Sequence, residues 1–166
     1  MRIITAGALG LSLLALTACS KPQWKEYDYP AWGFGVSFQA QPGITETPAT
    51  ATAPHSFQAE ATQDGVDLVV IAIDSQATGK SDQDILADIP DEMVRSSEGT
   101  VKSNVNATAG KLVGRDITID HGADPTERAR VFVLNGRVYQ VITQTRQDSD
   151  ASTATKFLDS FHLLAK

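Results

Sequence analysis

The sequence predicts an α+β fold in which helices pack on a mostly antiparallel sheet. Short apolar segments are separated by turn dipeptides at hairpin spacing, among them Asp64-Gly65 and Asn135-Gly136. Two other segments, one between the hairpins and one near the end, repeat apolar residues at helical spacing instead. The resulting order is strand, hairpin, helix, two hairpins and helix, without an internal repeat or a second domain.

The first strand is predicted within residues 33–42, where apolar residues alternate with small or polar ones. Residues 45–54, rich in threonine and proline, are predicted to be a surface loop. The next hairpin turns at Asp64-Gly65. Its second strand, residues 66–73, is almost entirely apolar, which favours a central position with both faces covered.

A helix is predicted to begin at Ser81, because Ser81 and Asp84 have the spacing of a capping box. Its apolar residues recur at helical spacing: Ile85, Ile89 and Met93. Pro90 lies inside this pattern, so we expect a kinked or divided helix. A last helix is predicted from about Asp148 or Asp150, followed by a short terminal strand or coil. The apolar stripe of that helix is Ala154, Phe157, Leu158 and Phe161.

The two later hairpins predict a sheet that is apolar on both faces. Strands 101–108 and 111–119 join near Ala109-Gly110, and strands 129–134 and 137–144 join at Asn135-Gly136. The two-residue loop of the second hairpin places Phe132 opposite Tyr139. One face then carries Phe132, Leu134, Tyr139 and Val141, and the other carries Val131, Val133, Val138 and Ile142. We therefore expect layers on both sides.

The N-terminus is typical of a secretory signal peptide, with a basic residue, an apolar run and small residues at its end. The motif Leu16-Thr17-Ala18-Cys19 resembles the bacterial lipobox, whose cysteine is alkylated with diacylglycerol and becomes the first mature residue. Cys19 is the only cysteine, so an intrachain disulfide is impossible. We predict a signal peptide over residues 1–18, lipid attachment at Cys19 and a lipidated tether over 19–32. The alternative is an ordinary signal peptide cleaved after Ala18.

Localisation and charge narrow the class of partner. Ser20, rather than aspartate, follows Cys19, and by resemblance to lipoprotein sorting in Gram-negative bacteria this favours the outer membrane, with the protein facing the periplasm. The chain has 20 acidic and 14 basic side chains, a formal net charge of −6. This acidic charge argues against a nucleic-acid partner and against electrostatic attraction to anionic lipid. We therefore expect the covalent lipid to hold the protein at the membrane.

Six of the eleven aromatic residues lie between positions 24 and 38. The favoured interpretation is that this segment covers the core, with Trp24 and Trp32 over a sheet edge. The alternative is an exposed patch in which Trp24 and Trp32 contact a partner or the membrane interface.

Three segments share a layout with a known family: "YDYPAWGFGVSFQAQP", "RARVFVLNGRVYQVIT" and "ATKFLDSFHLLAK". They contain an aromatic-Gly-Phe first strand, a late R-x-Y-x-V hairpin and a final helix that runs into Ser-Phe. This layout resembles the PsbP-like superfamily, including the small DcrB-type bacterial envelope lipoproteins, over roughly residues 27–164. The resemblance implies an αβα sandwich with about six to seven strands and two main flanking helices, in one domain over 33–166. For the bacterial members it implies an accessory role towards envelope partners.

No catalytic motif is recognisable: the chain has no G-x-S-x-G elbow, no H-E-x-x-H and no phosphate-binding glycine loop. The three histidines, His55, His121 and His162, have no histidine or cysteine at ligand spacing. We therefore predict a non-enzymatic accessory or binding module without a cofactor. The competing hypothesis from a different functional class is an enzyme whose active site has no recognisable sequence motif.

The densest polar cluster lies within residues 116–127 and contains Asp116, Asp120, His121, Asp124 and Glu127. Carboxylates in a loop can bind a metal ion, which makes Asp120, His121 and Asp124 the candidate ligands. The sequence therefore predicts, as the alternative function, a small-ligand or metal-binding lipoprotein. The favoured interpretation is a solvated turn whose acids pair with basic residues on neighbouring strands, namely Arg115, Arg128, Arg130 and Arg137. Those arginines could instead receive an acidic partner.

Overall fold

The computed structural model describes residues 23–76, 79–122, 126–146 and 151–165. Its helices are α1 (Asp82–Ser97) and α2 (Ala151–Ser160). Its strands are β1 (Lys25–Tyr29), β2 (Phe34–Phe38), β3 (Gly43–Thr47), β4 (Ser56–Gln63), β5 (Val66–Asp74), β6 (Thr100–Ala109), β7 (Leu112–Asp120), β8 (Thr126–Leu134), β9 (Arg137–Thr145) and β10 (His162–Leu163).

Seven strands form an antiparallel main sheet in the order β3-β4-β5-β9-β8-β7-β6, and three form a small sheet in the order β1-β2-β10. Helix α1 packs on one face of the main sheet, and α2 packs with the small sheet on the other. The predicted α+β fold class is confirmed. Within the described ranges no helix has both the length and the apolar character needed to span a membrane.

The hairpin predictions are confirmed in register. Phe132 pairs with Tyr139 across the turn at Asn135-Gly136, as the two-residue loop requires. Both turn residues have positive φ angles, 53° and 75°, which is the backbone geometry that matches strand twist. Gln63 and Val66 close the earlier hairpin in the same way around Asp64-Gly65.

Two separate cores result from the two apolar faces of the main sheet. The first lies under α2 and the small sheet and includes Phe34, Phe38, Leu68, Phe132, Tyr139, Val141 and Phe157. The second lies under α1 and includes Ile85, Ile89, Met93, Ile117, Ile119, Val131, Val133 and Val138. The predicted division of the late hairpin between two faces is therefore confirmed.

Two segments differ from the prediction. The expected tether includes strand β1 at Lys25–Tyr29, because Tyr27 and Tyr29 pack their rings against Phe38 and Phe34 of β2. The expected loop over 45–54 begins as the edge strand β3, all of whose residues are exposed. Backbone pairing with β4 holds this strand, so its side chains carry no apolar pattern that a sequence would reveal.

Helix α1 runs without a break from Asp82 to Ser97, so of the two alternatives predicted at Pro90 the divided helix is wrong and the kink stays a prediction. Its capping box is present: the amide of Asp84 donates to Ser81 Oγ, and the amide of Ser81 donates to the Asp84 carboxylate, both at 3.2 Å. Pro90 is buried within the helix. Packing of the apolar face against the sheet offsets the one hydrogen bond that proline removes.

The C-terminal predictions are confirmed where the structure describes them. All four residues of the predicted apolar stripe are buried, with Phe161 just after the end of α2, and β10 forms a short terminal strand paired with β2. The predicted helix start at Asp148 or Asp150 lies outside the described residues.

Candidate functional site

The aromatic segment belongs mainly to the core. Only 3% of Trp32 is exposed, and its ring lies 4.5 Å from that of His55 and 5.5 Å from that of Phe57, measured between centroids. The structure thus corrects the interpretation of Trp32 as a partner contact, because its ring surface is already covered. Trp24 is half-buried, with the ammonium of Lys156 5.2 Å from the centre of its ring.

The residues of the predicted loop site turn towards different partners. Asp120 accepts a hydrogen bond from the Gly122 amide at 3.1 Å and pairs with the Lys102 ammonium at 2.8 Å. The hydrogen bond from Lys102, followed by that from Gly122, holds the pKa of Asp120 below its ordinary value. His121 instead contacts the carbonyl of Ser97, at 3.1 Å from its Nδ1. Asp124 and Cys19 lie outside the described residues, so metal binding by this loop and lipidation both stay predictions.

The predicted pairing of acids with arginines is present at Asp116, but it is buried rather than solvated. Arg128 donates two hydrogen bonds to its carboxylate, at 2.9 and 2.6 Å, and Arg130 donates one at 3.1 Å. Arg130 also bridges to Asp159 of α2 at 2.7 Å. This cluster ties α2 to the main sheet, so it holds the fold together rather than forming an open site.

A groove runs along strand β9 beside helix α1. It consists of two adjoining cavities of about 460 and 350 Å³ that share Gln140. The first is lined by Met93, Ser96, Ser97, His121, Glu127, Gln140, Ile142 and Gln144. The second is lined by residues that include Ile73, Ile85, Ile89, Glu92, Val138 and Gln140. We take this groove as the candidate site, because it combines apolar walls with polar groups in both cavities, several of which gather around Glu127 at one end.

The polar end of the groove is built around Glu127, whose side chain is 10% exposed. Within the described residues it receives a hydrogen bond from Gln144 Nε2 at 3.3 Å, and His121 Nε2 lies 3.9 Å away. Among the described residues the enclosed hydroxyl of Ser97 has no hydrogen-bond partner. This end of the groove therefore holds a buried carboxylate whose nearest described polar neighbours are 3.3 and 3.9 Å away, and a hydroxyl that makes no hydrogen bond with the described residues.

The orientation of His121 determines what this end can bind. Its Nδ1 faces the Ser97 carbonyl, which can only accept, so Nδ1 carries the hydrogen. In the neutral ring Nε2 then presents a lone pair towards Glu127, another acceptor. A cationic or hydrogen-donating group between the two would satisfy both. The carbonyl end of α1 adds further negative potential at this point.

Sequence reasoning identified His121 and Glu127 as polar but missed the groove. The signal was in β9, where Gln140 and Gln144 interrupt the otherwise apolar series Val138, Ile142 on one face. Polar residues on an apolar face indicate that the face is not fully covered.

Comparisons with known proteins bear on the fold. No family model matches the chain, and no curated protein matches it. The solution structure of cyanobacterial PsbP (CyanoP) from Synechocystis sp. PCC 6803 is similar with a TM-score of 0.55, at 12% sequence identity, over 91% of this chain and 98% of that one. A crystal structure from Bacteroides thetaiotaomicron VPI-5482 has a TM-score of 0.47, at 10% identity, over 86% of this chain and 49% of that one. The similarity to the cyanobacterial PsbP structure shows that the chain has a PsbP-like α+β fold.

Proposed function

We propose that this protein is a lipid-anchored, non-enzymatic binding module of the bacterial cell envelope, related to the small DcrB-type lipoproteins. The lipobox-like motif at Cys19 supports the anchor, and Ser20 supports the outer membrane, with the domain facing the periplasm. The groove beside α1 is the binding site in this proposal. Its ligand is a small molecule or a partner side chain that carries an amine or a guanidinium.

The observation that carries this proposal is the state of Glu127. A carboxylate buried to this degree costs several kcal/mol unless a cation or several donors compensate it. Within the described residues one amide donates to it at 3.3 Å and the nearest ring nitrogen is 3.9 Å away. The adjoining cavity of about 460 Å³ leaves room for a compensating cation that comes from outside the chain.

The geometry also supports the absence of catalysis at this site. A serine nucleophile requires its hydroxyl to be hydrogen-bonded to a general base. His121 bonds to the carbonyl of Ser97 rather than to its hydroxyl. Ser97 and His121 are therefore not arranged as nucleophile and base.

Site-directed photocrosslinking in intact cells tests the proposal. A photoreactive residue at position 140, in the groove, should capture a discrete partner or ligand, and Glu127→Gln should weaken that capture. The same residue at position 108, exposed on the edge strand β6, is the control and should capture nothing specific. Equal capture at both positions, or capture at 140 that Glu127→Gln leaves unchanged, would contradict the groove as the binding site. Mass spectrometry of the purified natural protein tests the lipid on Cys19 separately.

A further inference from the structure

Three metal-ligating side chains converge on the outer face of the small sheet, away from the groove. Glu26 and Asp28 of β1 and His162 of β10 each offer a ligand atom, and these atoms all lie within 4.8 Å of one another. His162 Nε2 is 3.2 Å from Glu26 Oε1. Among the described residues, Glu26, Asp28 and His162 form the one group of at least three potential ligands that could share a single ion.

Strand register explains why these residues meet. Glu26 and Asp28 are two positions apart in β1, so they point to the same face. Gly35 of β2 pairs with Asp28 on one side and with His162 on the other. Phe34 and Val36, the neighbours of Gly35, point into the core, which places the three ligands on the opposite, outer face.

Gly35 leaves the space in which the ligands meet. A Cβ atom at this position would lie 2.6 Å from Asp28 Oδ1, 2.6 Å from His162 Cε1 and 2.7 Å from His162 Nε2. Asp28 and His162 therefore lie directly over the glycine, which is buried beneath them. Any larger residue would push the two side chains apart.

The ring of His162 is oriented like that of a metal ligand. Its Nδ1 lies 3.1 Å from the Ser160 carbonyl, which can only accept, so Nδ1 carries a hydrogen. This is the arrangement that metal-binding histidines use to orient the other nitrogen. In the neutral ring Nε2 then presents a lone pair to the carboxylate of Glu26, 3.2 Å away, and a cation would satisfy both acceptors.

We propose that Glu26, Asp28 and His162 bind a divalent transition-metal ion such as Zn²⁺, with water in the remaining position. One imidazole nitrogen and two carboxylates are a ligand set that suits zinc, whereas calcium prefers oxygen ligands throughout. The site lies on the α2 side of the main sheet, while the groove lies on the α1 side. Zinc binding is therefore independent of the proposed groove function.

His55 provides a matched control. It also contacts two carboxylates, but through opposite ring nitrogens: Nε2 lies 2.9 Å from Glu46, and Nδ1 lies 3.5 Å from Asp74. One ion cannot sit on both nitrogens, so His55 lacks the convergence seen at His162. The two histidines have similar exposure, 37% and 42% of the side chain.

Titration of the full chain with zinc chloride near neutral pH, followed by calorimetry, tests the proposal. We expect one zinc-dependent site that His162→Ala weakens about tenfold or more and that His55→Ala leaves unchanged. Gly35→Ala should weaken binding several-fold although it removes no ligand, because the added Cβ separates Asp28 from His162. Circular dichroism checks that each variant is folded. If Gly35→Ala does not fold, the comparison of His162→Ala with the parent chain tests the proposal by itself.

Two outcomes would overturn the proposal. No heat of binding at millimolar zinc would identify His162 and Glu26 as an ordinary ion pair. Zinc binding that is equal in the parent chain and in His162→Ala would place the ion elsewhere on the protein.

Discussion

The replacement Asp116→Asn tests whether the buried charge cluster holds α2 to the main sheet. The side chain of Asp116 is 12% exposed, and its carboxylate accepts hydrogen bonds from two arginines of β8. The amide that replaces it keeps the size of the side chain but removes the charge. Arg130, 18% exposed, keeps Asp159 as a partner, whereas Arg128 is 36% exposed and can be hydrated.

The expected loss follows from this partial burial. Removing one partner of a fully buried ion pair costs about 3–5 kcal/mol, and an exposed pair is worth about 0–1 kcal/mol. Because one arginine keeps a carboxylate and the other reaches water, we expect about 2–3 kcal/mol of unfolding free energy to be lost. For a domain of this size that lowers the melting temperature by about 6–12 °C.

The pH dependence gives the expected loss a distinct signature. Burial alone raises the pKa of Asp116, but the hydrogen bonds and charges of Arg128 and Arg130 outweigh it and bring the pKa below its ordinary value. A lowered pKa means that the unfolded chain binds the proton first as acid is added. The stabilisation is therefore fully present above about pH 5 and is lost as the pH falls below about 4.

Urea denaturation of the parent chain and of Asp116→Asn, at neutral pH and at low pH, measures both effects. Asp88→Asn is the control, since Asp88 is 59% exposed and pairs with Lys80 at the surface. We expect a lower midpoint for Asp116→Asn at neutral pH, a gap that narrows in acid, and little change for the control. A neutral-pH loss no larger than that of the control, or a gap that stays constant in acid, would refute the reasoning.

Two further predictions concern backbone packing and the helix start. Gly114→Ala should lower the unfolding free energy by about 3 kcal/mol or more, or prevent folding, because its Cβ would lie 2.1 Å from a backbone carbonyl oxygen of β8. Thermal melting measures this loss. The control is Gly43→Ala, where the nearest atom to the added Cβ is 3.8 Å away. Asp82→Ala should cost about 1–2 kcal/mol, because the carboxylate accepts two backbone amides of the turn at 135–136, both at 2.8 Å. Asp91→Ala, on the exposed side of the same helix, should cost less in the same assay. Equal effects within either pair would contradict the prediction.

Local patterns carried most of the fold prediction. A turn such as Asn135-Gly136 sets strand register within a few residues, so the hairpins and the two apolar faces follow from the sequence. The small sheet did not follow, because β10 pairs with β2 from the other end of the chain. Only tertiary packing decides that such distant segments form one sheet.

The candidate sites were harder to predict for the same reason. His121 and Glu127 are close in sequence, and that proximity drew attention to them, but Gln140 completes the groove from another strand. Glu26 and His162 lie near opposite ends of the chain, so no spacing rule links them. Trp32 was ambiguous because an aromatic residue can cover a core or face a partner, and only its neighbours settle which.

The dimensions of the elements explain why one face of the main sheet is sealed and the other has a groove. Seven strands at a spacing of about 4.8 Å give a sheet about 29 Å wide, while a helix with its side chains is about 10 Å wide. One helix therefore covers two to three strands, and α1 packs on β6, β7 and β8. On the opposite face α2 and the small sheet pack side by side and together cover the core. Val138 of β9 is still buried against α1, but no second helix lies beside α1 within the described residues, so Ile71, Ile73 and Gln140 stay partly exposed there. A second helix on this face would fill the groove, and its absence within the described ranges leaves the groove open.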